Sequence, residues 1–144
     1  MSRSLSVARR FGMLALALVL ATALGCGGRS TYPVRGKVVF PDGTPLPGGR
    51  VIAEPTDATH QVSARGEIQP DGTFELGTFS DNDGALEGEH RVLITPPEDL
   101  VIVEGKPRRP SIDKRFKRFE TSELKIVVTR DPGKNDFPLT VKKP

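Results

Sequence analysis

The sequence predicts an all-β fold, a seven-stranded Greek-key-type β-sandwich preceded by a helical export signal. Three observations carry this expectation. Beyond residue 25, Val and Ile number 17 against 11 for Leu and Ala, and β-branched side chains suit a pleated surface. The same stretch scatters 13 Gly and 13 Pro without a repeat, which interrupts any helix of ordinary length. Between them lie short segments that alternate apolar and polar residues, as strands with one buried face do. At 144 residues the chain has room for one ordinary domain.

The first element is the export signal, residues 1–25. Arg3, Arg9 and Arg10 form a positive start without an acidic residue, and Phe11 to Leu24 is an apolar run of 14 residues. A bilayer-spanning helix needs about 20 apolar residues, so the run has the layout of a secretory signal instead. Ala23-Leu24-Gly25-Cys26 closes it with the only cysteine of the chain. This placement resembles the lipobox of bacterial lipoproteins, with Gly25 and Cys26 as that pattern expects and Ala23 and Leu24 in the reverse of the usual order. The resemblance implies a lipoprotein signal peptide helix cut between Gly25 and Cys26, and a lipid chain on the Cys26 thiol. It also implies attachment at the bacterial cell envelope, on the periplasmic or outer surface. Two export routes fit, an ordinary signal or a twin-arginine one starting at Arg9-Arg10. Residues 26–33 then form the lipidated cysteine and a short tether, and 34–144 the sandwich, with a long basic insertion at about 96–122.

The strands follow in order. Val34, Gly36, Val38 and Phe40 share one face opposite Arg35, Lys37 and Val39, and Pro41-Asp42-Gly43-Thr44 supplies a turn. Val51 and Ala53 flank Ile52 in a second strand ended by Pro55, and Gln61 to Ile68 is a third. Pro70-Asp71-Gly72-Thr73 turns it, as a hairpin, into a fourth strand bearing Phe74 and Leu76. Val92 and Ile94 mark the fifth, closed by Pro96-Pro97. Leu124, Ile126 and Val128 mark the sixth, and after Asp131-Pro132-Gly133 the seventh carries Phe137, Leu139 and Val141. Pro138 cannot donate a ladder hydrogen bond and belongs on an edge. Gly36 and Gly66 occupy strand positions where a neighbouring backbone can approach closely.

Val34-Arg35-Gly36-Lys37-Val38, then Asp42-Gly43-Thr44-Pro45-Leu46-Pro47-Gly48-Gly49 and Val51, resembles the opening of carboxypeptidase regulatory-like domains, the small prealbumin-like or transthyretin-like sandwiches. Ala64 to Ile68, Asp71 to Leu76, Asp83 to Val92 and Asn135-Asp136-Phe137 continue the likeness, which covers Val34 to Val141. It implies a non-catalytic accessory or interaction module exposed at the envelope. A small envelope hydrolase or a transport-accessory protein on the same transthyretin-like fold is the alternative.

The residues offer little for catalysis. Prealbumin-like hydrolases use histidines near the start and a Tyr-Arg-Gly-Ser ending, whereas this chain ends Val141-Lys142-Lys143-Pro144. His60, in a loop, and His90, beside Glu89 and Arg91, are expected at the surface, and no serine sits in a nucleophile elbow. Asp81-Asn82-Asp83-Gly84 looks calcium-like, but counting from Asp81 places Ala85 and Leu86 where a loop of that kind needs a ligand and a glycine. A tight turn capped by Asp side chains is the expectation. Neither a metal nor a cofactor is expected, and the chain is not expected to be an enzyme.

Charge is distributed unevenly. The formal net charge of +3 lies in the three arginines of the signal, and the remainder balances 18 basic against 18 acidic residues. Lys106, Arg108, Arg109, Lys114, Arg115, Lys117 and Arg118 nevertheless stand with one acid, Asp113, in a stretch of local charge +6, while Gly27 to Gly105 carries −7. Ile112, Phe116 and Phe119 have helical spacing, with Ser111 placed to cap a short helix whose apolar face plugs an open edge of the sandwich. Two readings of the basic residues stay open. They form a solvated face balanced by the acidic sheet, or they contact an anionic partner such as a lipid headgroup, a phosphorylated glycan or an acidic envelope protein. Nucleic acid is not expected for an exported, tethered chain.

Overall fold

The computed structural model describes residues 30–59, 62–99, 101–108 and 110–144. The expected signal, Gly25, Cys26, His60 and Arg109 lie outside the described residues, as does the side chain of Arg108. The chain is mostly β, as the residue types require. Its strands are β1 (Thr31–Tyr32), β2 (Arg35–Val39), β3 (Arg50–Pro55), β4 (Ala64–Glu67), β5 (Thr73–Glu75), β6 (Ala85–Leu86) and β7 (Gly88–Thr95). They continue with β8 (Val101–Val103), β9 (Lys106–Arg108), β10 (Leu124–Val128) and β11 (Asp136–Thr140). One helical turn, α1 (Phe119–Ser122), and 3-10 turns at Lys114–Lys117 and Pro132–Lys134 complete the described residues.

Two sheets hold most of the strands. One has the order β10-β7-β3-β4 and the other β11-β2-β5, while β1-β6 and β8-β9 form two small ladders. Period-two alternation fills a single core from both larger sheets. Val38, Phe74, Leu76 and Leu139 come from the three-stranded sheet and its extensions, and Val51, Ala53, Val92, Ile94, Ile126 and Val128 from the four-stranded one.

Two glycines lie where an approaching strand leaves no room for a Cβ, Gly36 inside the three-stranded sheet between β11 and β5, and Gly66 where the two larger sheets meet. A methyl group on Gly36 would collide with the Phe137 carbonyl and lie 2.7 Å from Cζ of Phe74. On Gly66 it would strike the Glu75 carbonyl oxygen and sit 3.0 Å from its carbon. The Gly66 contact changes the expected hairpin. β4 pairs with β3 and β5 with β2, so the two strands belong to different sheets. They join at a corner, through the Arg65–Gly77 bridge and the Gln69 N–H, which donates to Thr73 O at 2.8 Å. Val38 N–H draws the chain across by donating to Gly72 O at 2.9 Å.

The two Pro-Asp-Gly-Thr segments form matching turns. Asp42 Oδ1 accepts from the Thr44 amide at 2.9 Å and from the Thr44 hydroxyl. Asp71 Oδ1 accepts from the Thr73 amide at 3.0 Å and the Thr73 hydroxyl at 2.6 Å. These bonds favour the charged form, so the threonine hydroxyl and then its amide hold each carboxyl below the ordinary range.

The last strand pairs in parallel with β2, with Asp136 opposite Arg35 and Leu139 opposite Val38. β11 is an edge strand, as Pro138 requires. Arg35 N–H donates to Asn135 O, and Val141 N–H to Val39 O. That alternation turns the position of Pro138 away from β2, where no donor is needed. Buried Asn135 fastens the entry to this ladder. Its Oδ1 accepts from Thr129 N–H at 2.9 Å, and its Nδ2 donates to Thr129 O at 2.8 Å and Pro33 O at 3.2 Å.

Gly36→Ala is expected to lower the unfolding free energy by about 2–4 kcal/mol, since the added methyl meets backbone and ring together. Gly43→Ala, at a positive-φ turn with open space around it, should cost only about 1 kcal/mol. Urea unfolding of the two variants of the full chain in detergent measures the difference, and equal losses would refute the close-approach account.

Candidate functional site

The basic stretch divides into three parts. Lys106–Arg108 forms β9 and pairs with β8 as a separate hairpin, Ile102 facing Pro107. Glu104 and Gly105 both have positive φ, 51° and 72°, the requirement of the two-residue turn that matches strand twist. The hairpin leaves Ile102 67% exposed. The next part is shorter than the expected helix. Asp113, not Ser111, is the cap, its Oδ1 accepting from Arg115 N–H at 3.0 Å, and the turn it starts is a 3-10 turn of four residues. Arg118 is extended, at φ −138° and ψ 136°, and separates this turn from α1. An acidic cap receives the exposed N–H groups of a first turn better than a serine two residues out of register.

The apolar residues of the stretch still reach the core. Ile112 and Phe116 are buried and Asp113 N–H donates to Lys142 O at 2.9 Å, which ties the segment to the end of β11. Phe119 is half-buried beneath the Arg91 guanidinium, 5.4 Å from the ring centroid. Arg115 is used internally. Its guanidinium pairs with Glu123 and lies 5.2 Å from the Phe116 centroid, and its backbone carbonyl accepts from the Thr121 hydroxyl at 2.7 Å. Lys106, Lys114, Lys117 and Arg118 are exposed and form no ion pair among the described residues. The expected seven-residue cationic group therefore has four exposed members among the described side chains.

His90 departs from its expected surface position. It is 1% exposed, on the inward face of β7 with Val92 and Ile94. Period-two alternation decides this, and the charges of Glu89 and Arg91 belong to the opposite face. His90 Nδ1 lies 3.1 Å from Gly88 O and Nε2 is buried without a partner. With Nδ1–H donating, Nε2 carries the free lone pair, and burial pushes the imidazole pKa below its ordinary value.

A second surface was not singled out by the residues alone. The corner between β4 and β5 and the loop after β5 enclose a groove of about 770 Å³. Arg50, Arg65, Glu67 and Glu75 stand along it, and the segment Gly77 to Asn82 forms its far wall. Arg50 is paired with Glu67, its Nε donating to Glu67 Oε1 at 2.7 Å. The loop is built around Asp83, as the expectation of a capped turn holds. Asp83 Oδ1 accepts from Thr78 N–H at 2.6 Å, and Oδ2 from Phe79 N–H and Ser80 N–H, both at 3.1 Å. The Thr78 hydroxyl donates to Gly84 O at 2.7 Å, and Gly84 N–H to Leu76 O at 2.8 Å. Phe79, on this fixed backbone, is 56% exposed. Its sequence signal is a lone aromatic inside Gly-Thr-Phe-Ser-Asp-Asn-Asp-Gly, with no apolar neighbour to bury it.

Among the described residues no group of three or more His, Cys, Asp or Glu side chains is placed to hold a metal ion, and no helix is long and apolar enough to cross a membrane. Comparison of the chain with protein-family models, curated proteins and solved structures finds no match.

His90 makes stability depend on pH in a defined direction. Its folded pKa lies below the unfolded value of about 6.5, so below that pH the unfolded chain takes up a proton that the folded chain refuses. Stability is fully present above pH 6.5 and falls with acidification until the folded pKa is reached, at a limiting slope of about 1.4 kcal/mol per pH unit. Urea midpoints between about pH 7 and pH 5 should show this fall, and His90→Leu should flatten it. An equal slope in that variant would exclude His90 as its source.

Proposed function

We propose that this protein is a lipid-anchored, extracytoplasmic module of the bacterial cell envelope that binds or organises a partner without catalysis. Its domain is read as a seven-stranded Greek-key-type sandwich of the carboxypeptidase regulatory-like kind. The observation that carries the reading is the position of the only cysteine. Cys26 follows the apolar run directly and stands five residues before Thr31, where β1 begins by pairing with β6, Thr31 opposite Leu86 and Tyr32 opposite Ala85. The segment expected to be tether thus contributes a strand. At about 3.5 Å per residue the remaining link reaches at most about 17 Å, which holds the domain against its own membrane.

His90 is buried on the core-facing side of β7. Of the eleven strands among the described residues, four and three form the two larger sheets, and both sheets supply one core. Lys106, Lys114, Lys117 and Arg118, with exposed Ile102 on the β8-β9 hairpin, supply the chemistry for anionic headgroups of the adjacent leaflet. Arg115, committed to Glu123, plays no part in that contact.

Radiolabelled palmitate fed to expressing bacteria should label the wild-type chain, and Cys26→Ala should abolish the label and release the chain from membranes washed at high salt, where headgroup contacts are screened. Labelling of Cys26→Ala by palmitate would overturn the anchor. In flotation assays at low salt, the unlipidated Cys26→Ala chain should bind anionic vesicles, and Lys114→Glu with Lys117→Glu and Arg118→Glu should reduce that binding about tenfold or more, each basic contact contributing about 1 kcal/mol. Unchanged flotation would remove the headgroup contact and leave the lipid anchor in place.

A further inference from the structure

We propose that the groove beside Phe79 is a carbohydrate-binding site that takes a neutral oligosaccharide, with one sugar ring laid against the Phe79 ring. This deepens the binding-module reading and rests on it.

The first argument is the rigidity of what displays the ring. One carboxylate, Asp83, collects three consecutive backbone N–H groups, and the Thr78 hydroxyl and Gly84 amide fasten both ends of the loop. None of these bonds uses the Phe79 side chain. A polar residue would satisfy the same loop, so the fold does not need the aromatic ring. Phe79 stands 56% exposed on a backbone held by these bonds. A fixed apolar platform loses little freedom when a ligand docks, which is where binding surfaces gain affinity.

The second argument is the chemistry of the groove. Its volume of about 770 Å³ lies within the range of small-ligand sites, about 300–1,000 Å³. Its charged groups are of both signs, Arg50 and Arg65 facing Glu67, Glu75 and Asp81. An anionic ligand would meet three carboxylates and a cationic ligand two guanidinium groups. Arg50 is already engaged with Glu67, while Arg65 has no ion-pair partner among the described residues. Amide and hydroxyl groups of Gln69, Ser80 and Asn82 add further donors and acceptors. A sugar suits such a mixture. Each of its hydroxyls both donates and accepts, and its C–H face is apolar enough to rest on an aromatic ring.

The third argument concerns an extended peptide, the other ligand a sheet corner can take. A strand needs free ladder groups to pair with. Here Arg65 N–H donates to Gly77 O and Gly77 N–H to Arg65 O, both at 2.8 Å, and Gln69 N–H is bound to Thr73 O. The corner is closed to an added strand at both ends, so recognition falls to side chains and the Phe79 ring.

The test uses the purified full chain in a detergent without a sugar headgroup, titrated calorimetrically with cellotetraose, xylotetraose, maltotetraose and chitotetraose. Saturable binding of at least one of these is expected, insensitive to salt. Phe79→Ala should weaken it about tenfold or more, the loss of roughly 1.4 kcal/mol, with an unchanged melting temperature because the ring is exposed. Asp83→Asn, which loosens the loop behind the ring, should weaken it as well, and Ile102→Ser on the distant hairpin should not. No binding of any of the four sugars would overturn the proposal, as would binding that survives Phe79→Ala or capture of an extended peptide in the groove instead. The measurement needs no membrane, so a negative result leaves the lipid anchor at Cys26 to its own test.

Discussion

The close approach of the two larger sheets at Gly66, where β4 meets β5, is the constraint on which the rest of the structure depends. The chain has few large apolar residues to spend on a core. Leu, Ile, Val and Phe number 30 after residue 25, and no tryptophan is present to fill a wide gap. Burial then has to come from short distances between main chains. Where the Glu75 carbonyl sits over the bare Cα of Gly66 the sheets come together, and within the three-stranded sheet the buried Phe74 ring packs over bare Gly36. Close packing at native density is what converts such a lean composition into a stable interior. The corner at β4 and β5 and the groove outside it are by-products of the same contact.

Much of this was legible in the residues, because period two is a local property. Val34 to Phe40, the two Pro-Asp-Gly-Thr turns and the edge position of Pro138 follow from alternation, turn chemistry and the missing N–H. The departures share a physical origin in what is not local. β11 pairs in parallel with β2, and nothing in Asp136 to Thr140 encodes which strand it joins. Gly66 marks a close approach, but not that β5 would cross to the other sheet there. Ile112, Phe116 and Phe119 have helical spacing, yet burial of Ile112 and Phe116 is reached by a 3-10 turn and an extended Arg118. Charge at Glu89 and Arg91 concealed the inward face that His90 shares with Val92 and Ile94. The β8-β9 hairpin was hidden by its shortness and by Glu-Gly in place of the usual Asn-Gly. The Phe79 loop was visible as a turn, but the exposure of its ring is a property of the folded surface.

The polar groups fall into two energetic classes. Exposed ion pairs such as Arg35–Asp136 and Lys125–Glu89 contribute little each, about 0–1 kcal/mol. The buried and capping groups matter more. Asn135 satisfies backbone atoms of Pro33 and Thr129, Ser122 donates to Val92 O and accepts from Leu124 N–H, and Asp83 holds a loop. Asn135 and Ser122, both buried, supply partners where water cannot. A chain balanced overall in charge beyond its first 25 residues thus keeps its shape through a few neutral amides and hydroxyls and the capping carboxylates of Asp42, Asp71, Asp83 and Asp113. Lys106, Lys114, Lys117 and Arg118 remain on the outside.

The parallel pairing of β11 with β2 joins residues about a hundred positions apart, the Arg35–Asp136 contact spanning 101. Such a ladder gives the molecule a high contact order, since the second strand must wait for the last one. Synthesis from the amino end therefore delivers nearly the whole polypeptide before its three-stranded sheet can be completed. Until Leu139 emerges, β2 has one neighbour and the core lies open on that side. A polypeptide of this topology keeps part of its apolar interior open to solvent until its last strand has been made.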